Sequence, residues 1–299
     1  MSISVTKLAE RKPPISQKSA SDFSFKTKLN KPMAELSILR RCLACAESSM
    51  ISYLTPEECN KAASRLGFVG GKYFSAGGAQ AYWFWSKHDS IVVFRGTEPN
   101  EWNDIQADAN AITALAETVG RVHRGFKTET DELWPLIEKE LEANKLPLYF
   151  TGHSLGGAMA TICAGRCLLS YIHSEPIELH TFGSPRVGCK RYINHAPIKH
   201  YRWVNNNDIV TRVPPPWLGY RHGGREIYLN YLGQIREIHG WKRVADRLKG
   251  FFGGLRRFRI DQLSDHSTLD YIEHIFEAVR LEESGQTSGL SAEPVTPKN

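Results

Sequence analysis

Ser154 lies in the stretch Gly152-His153-Ser154-Leu155-Gly156, with glycines two positions before it and two after. An aliphatic hydroxyl is a weak nucleophile at neutral pH, so this serine can do chemistry only if its surroundings activate it. The run 146–150 before it is short and apolar and reads as a strand. The stretch 155–172 after it reads as a buried helix. In that setting a G-x-S-x-G motif is a sharp strand-to-helix turn. The turn lifts the hydroxyl above the sheet edge, and the glycines remove Cβ atoms that would clash there. The helix N-terminus points free N–H groups at a developing oxyanion. Outside that setting the same residues would form a glycine-rich turn with a solvent-facing serine.

A serine nucleophile needs a base, and the base needs an orienting acid. In this kind of architecture they follow in the chain order Ser, Asp or Glu, then His. His153 is excluded as the base because its side chain leaves the backbone on a different side from Ser154. For the acid, Asp208 falls just past a strand expected over 201–204, and loops at the carboxyl ends of parallel strands are where α/β sheets place their sites. Asp261 and Asp265 are rivals. For the base, His266 stands at the entry to the last helix, with His222 and His239 as alternatives. His274, inside that helix, reads as packed or solvated.

The elements that must hold these groups alternate. Helices are expected over 32–52 and over 55–67, the second opened by a capping box of Thr55, Pro56 and Glu58 and stopped by Gly67. Strands follow at 79–87 and 90–97, a short helix within 98–110, and an amphipathic helix at 126–145 containing Pro135. Further strands are expected at 177–182, 199–204 and 225–230, a basic helix at 241–255 and a closing helix at 267–283. Strands alternating with helices predict an α/β fold with a mostly parallel sheet. The expected organisation is a disordered basic arm over 1–32, one domain over 33–283 and a flexible tail over 284–299.

With 299 residues, 41% hydrophobic and 23% charged, the chain has the composition of a soluble globular protein. No run approaches the ~18 apolar residues of a membrane span, and the N-terminus shows no apolar signal region. Cys42-Leu-Ala-Cys45 is accompanied by neither a second CxxC nor a His pair at ligand spacing, so the six cysteines read as small core residues of a protein in a reducing, cytoplasmic compartment. No metal or organic cofactor is expected. The net charge of +6 is concentrated: segment 236–259 has eight cationic residues against Glu237 and Asp246.

Several segments together resemble the class 3 lipases, the fungal-type branch of the α/β hydrolases. They are 92–97 (VVFRGT), 122–126 (VHRGF), 150–158 (FTGHSLGGA), 181–188 (TFGSPRVG), 204–215 (VNNNDIVTRVPP) and 265–272 (DHSTLDYI), in the family's order. The resemblance implies an α/β-hydrolase fold and a Ser154, Asp208, His266 triad. It also implies an oxyanion hole of Thr97 and the Leu155 N–H, with Gly152, His153 and Gly156 forming the elbow. The implied activity is hydrolysis of carboxylic esters, of acyl glycerols or phospholipids, through an acyl-enzyme. Segment 98–110 stands where the family has its lid. Trp102 and Ile105 are its only large apolar groups, which argues against strong interfacial activation.

In 241–255, Trp241, Val244, Leu248, Phe251, Phe252 and Leu255 recur at helical spacing opposite Lys242, Arg243, Asp246, Arg247 and Lys249. This is the pattern of a helix lying on an anionic membrane surface, or of one packed on the domain with a solvated basic side. No nucleic-acid motif accompanies the charge. Two other readings of the whole chain are an esterase for small or aryl esters, and a catalytically silent lipase-like module that binds membranes.

Overall fold

The computed structural model describes residues 14–97, 112–170, 172, 175–196, 198–237, 241–247, 264–286 and 290. Strands β1 (Gly70–Ala76), β2 (Ala79–Trp85) and β3 (Ser90–Phe94) open a seven-stranded sheet. It continues with β6 (Leu148–His153), β7 (Pro176–Phe182), β9 (His200–Asn205) and β11 (Arg225–Leu229), in the order β1-β2-β3-β6-β7-β9-β11. From β3 to β11 every neighbouring pair is parallel, and β1 and β2 add an antiparallel hairpin at one edge. A second sheet, β10-β8-β5-β4, is built from β4 (Thr113–Leu115), β5 (Arg121–His123), β8 (Gly188–Cys189) and β10 (Tyr220–Arg221).

The parallel crossovers from β3 to β6, β6 to β7 and β7 to β9 each run through an α-helix, and the one from β9 to β11 runs through two 3-10 turns. The helices are α1 (Ile38–Ile51), α2 (Pro56–Leu66), α3 (Arg124–Leu141), α4 (Leu155–Cys167), α5 (Lys190–His195), α6 over 241–247 and α7 (Thr268–Glu283). Alternation along the strands sorts apolar side chains onto two faces. Tyr82, Phe84, Tyr149, Tyr201 and Trp203 pack with α1, α2 and α7. Val92, Phe94, Phe150 and Leu179 pack with α3 and α4. The expected α/β fold with a mostly parallel sheet is thus present.

Thr55 caps α2 by accepting the N–H of Glu58 at 3.4 Å, and Gly67 ends the helix at φ 103°. The capping box is only half formed, because the Glu58 carboxylate turns to the N-terminal segment. It accepts the hydroxyl of Ser19 at 2.8 Å and the N–H of Ala20 at 2.7 Å. This corrects the disordered arm for residues 14–32. Phe23 and Leu29 are buried in the core, the N–H groups of Lys26 and Thr27 donate to Glu47, and Leu29 N–H donates to the Leu66 carbonyl. Apolar anchors and satisfied backbone groups together outweigh a lysine-rich composition. Residues 1–13, the lid segment 98–110 with its expected helix, and most of the tail 284–299 lie outside the described residues.

The basic helix is turned over relative to the solvated-basic-side reading. Within 241–247, Trp241 is 87% exposed and Val244 45% exposed. Arg243 and Asp246 face β11 instead, while Lys242 stays exposed. Arg243 pairs with Glu226 and its guanidinium lies 4.4 Å from the centre of the Tyr228 ring. Buried Asp246 accepts the Tyr228 hydroxyl at 2.9 Å. The edge strand offers a carboxylate and a phenol, so polar side chains pack there more favourably than apolar ones.

Candidate active site

β6 lies in the middle of the sheet and is buried along its whole length. At its end Ser154 adopts φ 58°, ψ −131° and donates its N–H to the Phe182 carbonyl at 2.9 Å. A non-glycine residue held in that region stores roughly 1–3 kcal/mol of strain, and surrounding packing must hold it. That packing comes from the flanking glycines. A Cβ on Gly152 would collide with the Gly156 carbonyl, and one on Gly156 with the Phe94 carbonyl. Leu155 begins α4, so its N–H belongs to the group of helix-start donors that have no intrahelical acceptor. Ser154 Oγ is buried and has no hydrogen-bond partner among the described residues.

Asp208 lies in the loop after β9, fully buried. Its Oδ1 accepts the Val210 N–H at 2.9 Å. Its Oδ2 lies 2.9 Å from His266 Nδ1 and accepts the Tyr271 hydroxyl at 2.7 Å. A carboxylate only accepts, so in neutral His266 the proton sits on Nδ1 and Nε2 keeps the lone pair a base needs. His266 belongs to a single 3-10 turn, Ser264–His266, directly before α7. Gly183, at φ 61° just past β7, leaves room for the pair: a Cβ there would stand 2.7 Å from Asp208 Oδ2 and 2.8 Å from His266 Nδ1.

Tyr271 and Gly183 are site residues that sequence reasoning passed over. Tyr271 is buried on the first turn of α7, and burial together with the Asp208 charge pushes its phenol far above the usual range. It therefore stays a donor to Asp208, and the Asn205 N–H in turn donates to its oxygen at 2.9 Å. A tyrosine on an apolar helix face was the available signal, because a buried phenol needs a partner.

The rivals take other positions. Asp265 accepts the Asn207 N–H at 3.1 Å and braces the acid loop instead of facing the base. His222 Nε2 donates to the Thr211 carbonyl at 2.7 Å, and His274 abuts Gly233. Asp261 and His239 lie outside the described residues. His153 is buried with both ring nitrogens engaged, so it is not an available base. Thr97 is half-buried and follows Gly96, where a Cβ would stand 3.2 Å from Ser154 Cβ. The loop carrying Thr97 thus borders the serine.

Residues 91–217 match the family described as Lipase (class 3). Among curated relatives, Toxin TseL of Vibrio cholerae is 42% identical over 118 residues, 38% of this chain and 18% of that protein. Secreted mono- and diacylglycerol lipase 1 of Fusarium solani is 36% identical over 119 residues, 36% of this chain and 34% of that one. A lipase of Rhizomucor miehei is 36% identical over 164 residues, 48% of this chain and 42% of that one. The chain therefore spans less than half the length of each of these three relatives. Among solved structures, the Rhizomucor miehei triacylglyceride lipase superposes with a TM-score of 0.55 at 25% identity, covering 67% of this chain and 82% of that one. A triacylglycerol lipase described as having a serine protease triad at its catalytic centre superposes with a TM-score of 0.51 at 26% identity, covering 63% of this chain and 77% of that one. By its matched segment the chain is similar to the class 3 lipases, and its mostly parallel sheet flanked by helices has the α/β-hydrolase fold of these solved lipases.

Proposed function

We propose that this chain is a serine ester hydrolase of the lipase type, acting on carboxylic esters of acyl glycerols or phospholipids. The observation that carries the reading is the buried Asp208–His266 bond of 2.9 Å, packed against Gly183 beside the strained Ser154 elbow. His266 Nε2 takes the Ser154 proton as Oγ attacks the ester carbonyl. The N–H of Leu155 and the Thr97 loop hold the oxyanion, each donor stabilising the transition state by roughly 3–4 kcal/mol. His266 then protonates the leaving alcohol, and water activated by the same imidazole cleaves the acyl-enzyme. Asp208 holds the imidazole in the correct tautomer and stabilises its charged form. The relatives named as mono-, di- and triacylglycerol lipases support a lipid ester as substrate.

The test is hydrolysis of nitrophenyl esters of rising acyl length. Wild-type protein turns them over, and Ser154→Ala loses on the order of 10⁶ in kcat with its unfolding midpoint unchanged. Retained turnover in the alanine variant rejects the nucleophile. A short-chain optimum with no rise above the solubility limit points to an esterase.

Membrane contact is a second reading, supported by the exposure of Trp241 beside exposed Lys242. Anionic vesicles should float the wild-type protein and release Trp241→Ala, and equal binding to neutral vesicles counts against it. We also place the protein in a reducing compartment, since its six cysteines are free thiols and five of them are core residues.

A further inference from the structure

We infer that His153, inside the elbow itself, is a positioning residue for the base His266, and that Tyr53 fixes the tautomer in which His153 does so. The inference rests on the proposed ester hydrolysis, because it concerns how that reaction's base is held.

Two contacts define the arrangement. His153 Nε2 lies 2.7 Å from the backbone oxygen of His266, and His153 Nδ1 lies 2.8 Å from the Tyr53 hydroxyl. A carbonyl only accepts, so Nε2 carries a proton and donates it. Burial, reinforced by the neighbouring His266, pushes the His153 imidazolium well below its usual range. The ring is therefore neutral, Nδ1 is a bare acceptor, and Tyr53 donates its O–H to it. The donor direction runs from Tyr53 through His153 to the His266 carbonyl.

His266 needs this support. Its backbone lies in a single 3-10 turn, an element with few hydrogen bonds of its own. Asp208 fixes one end of its ring through Nδ1. The His153 bond fixes its backbone, and the His153 ring lies 4.4 Å from the His266 ring at 33°, which fixes its plane. These three restraints set the direction of Nε2. The same pair also borders the loop leading to Thr97, since a Cβ on Gly96 would collide with the His153 carbonyl and the Tyr53 hydroxyl. One buried unit thus touches the nucleophile's own turn, the base and the oxyanion loop. Tyr53 reaches it from the turn after α1, about a hundred residues earlier in the chain.

The experiment combines kinetics on a soluble ester with ¹⁵N NMR of the histidines. His153→Leu should lower kcat about 10²-fold with KM within about 2-fold, the pattern of a misplaced base, not of weakened binding. His153→Gln, whose amide can donate where Nε2 did, should recover most of the loss. Tyr53→Phe should fall between them, and it carries the kinetic test with the glutamine variant if the leucine variant does not fold. The His153 shifts in the unmodified protein should report a neutral ring protonated at Nε2. An Nδ1–H tautomer, or a kcat unchanged in all the folded variants, overturns the relay while ester hydrolysis stands. A wild-type protein inactive on every ester, or an active Ser154→Ala, overturns the hydrolase reading and the relay with it.

Discussion

Among the described residues, two sets align a nucleophile, an imidazole and a carboxylate. One set is Ser154, His266 and Asp208 at the carboxyl ends of β6 and β9. The other is Cys42, His180 and Glu178, buried between α1 and the middle of β7. There His180 Nδ1 lies 3.3 Å from Cys42 Sγ, and its Nε2 lies 3.0 Å from Glu178 Oε2. By residue type and hydrogen-bond order the second set is the more complete relay. What separates them is the backbone and the other partners. Ser154 stands on a strained turn at a helix start, with N–H donors beside it. Cys42 stands inside the regular helix α1, where no such donors converge. Burial pushes its thiol up to about 12, so it is not a thiolate at neutral pH. Glu178 is also gripped by Arg41 at 2.8 and 3.0 Å and by Lys199 at 2.6 Å, which makes it the centre of an ion-pair cluster. A row of suitable side chains is thus insufficient; place in the fold decides which row can react.

The comparison breaks most visibly on activity. Asp208→Asn should leave the geometry nearly intact and lower kcat about 10⁴-fold, because the base loses its tautomer. Glu178→Gln should keep kcat within about 2-fold on the same soluble ester. A 100-fold loss in the second variant would mean that the two sets are coupled. Stability should respond in the opposite sense. Glu178→Gln leaves Arg41 buried beside a neutral amide, and removing one partner of such a pair costs about 3–5 kcal/mol in urea unfolding. A cost below about 1 kcal/mol would mean that the Leu36 carbonyl, which Arg41 also reaches, suffices to hold it.

The same contrast separates what the sequence made legible from what it hid. Ser154, Gly152 and Gly156 were legible because the elbow is local: five consecutive residues between an apolar strand and an apolar helix carry its whole logic. Asp208 was legible through its place past a strand. His266 was only one of several histidines until a family resemblance singled it out. Gly183, Tyr271 and the second role of His153 depend on convergence of β6, β7, β9 and α7, which no spacing in the chain encodes. The Cys42 set is hidden for the same reason, since 138 residues separate Cys42 from His180. The ordered part of the arm was missed because its backbone is satisfied by Glu47 and Glu58, far along the chain. The strand β1 and the small second sheet were missed because glycine-led or two- to three-residue strands have too little periodicity. Helix 241–247 showed the right pattern, but what it packs against set its orientation.

The smallest effect is a pH dependence, and it distinguishes two kinds of buried titratable group. His153, His180, His200 and His222 are all held below the usual histidine range by burial, His200 at about 3. In the unfolded chain they bind protons below about pH 6.5. Below that pH the unfolded state therefore binds more protons than the folded one, and stability falls on acidification by up to about 1.4 kcal/mol per pH unit for each neutral histidine. Glu178 acts in a lower window. Burial raises its carboxyl, but the bonds from His180, Lys199 and Arg41 outweigh that and hold it at about 2. Its contribution is present in full above the unfolded value of about 4.3 and is lost as the pH falls toward 2. Urea unfolding between pH 7.5 and 5 should thus stay clear of the Glu178 window and report the histidines, opposed by Glu129, whose carboxyl burial raises to about 7. His180→Gln, which can still donate to Glu178, should reduce the slope by one proton's worth and keep kcat within about 2-fold. A slope unchanged by that substitution would mean that His180 is protonated in the folded state. Cys42 would then face an imidazolium, which favours its thiolate, and the distinction between the two sets would weaken.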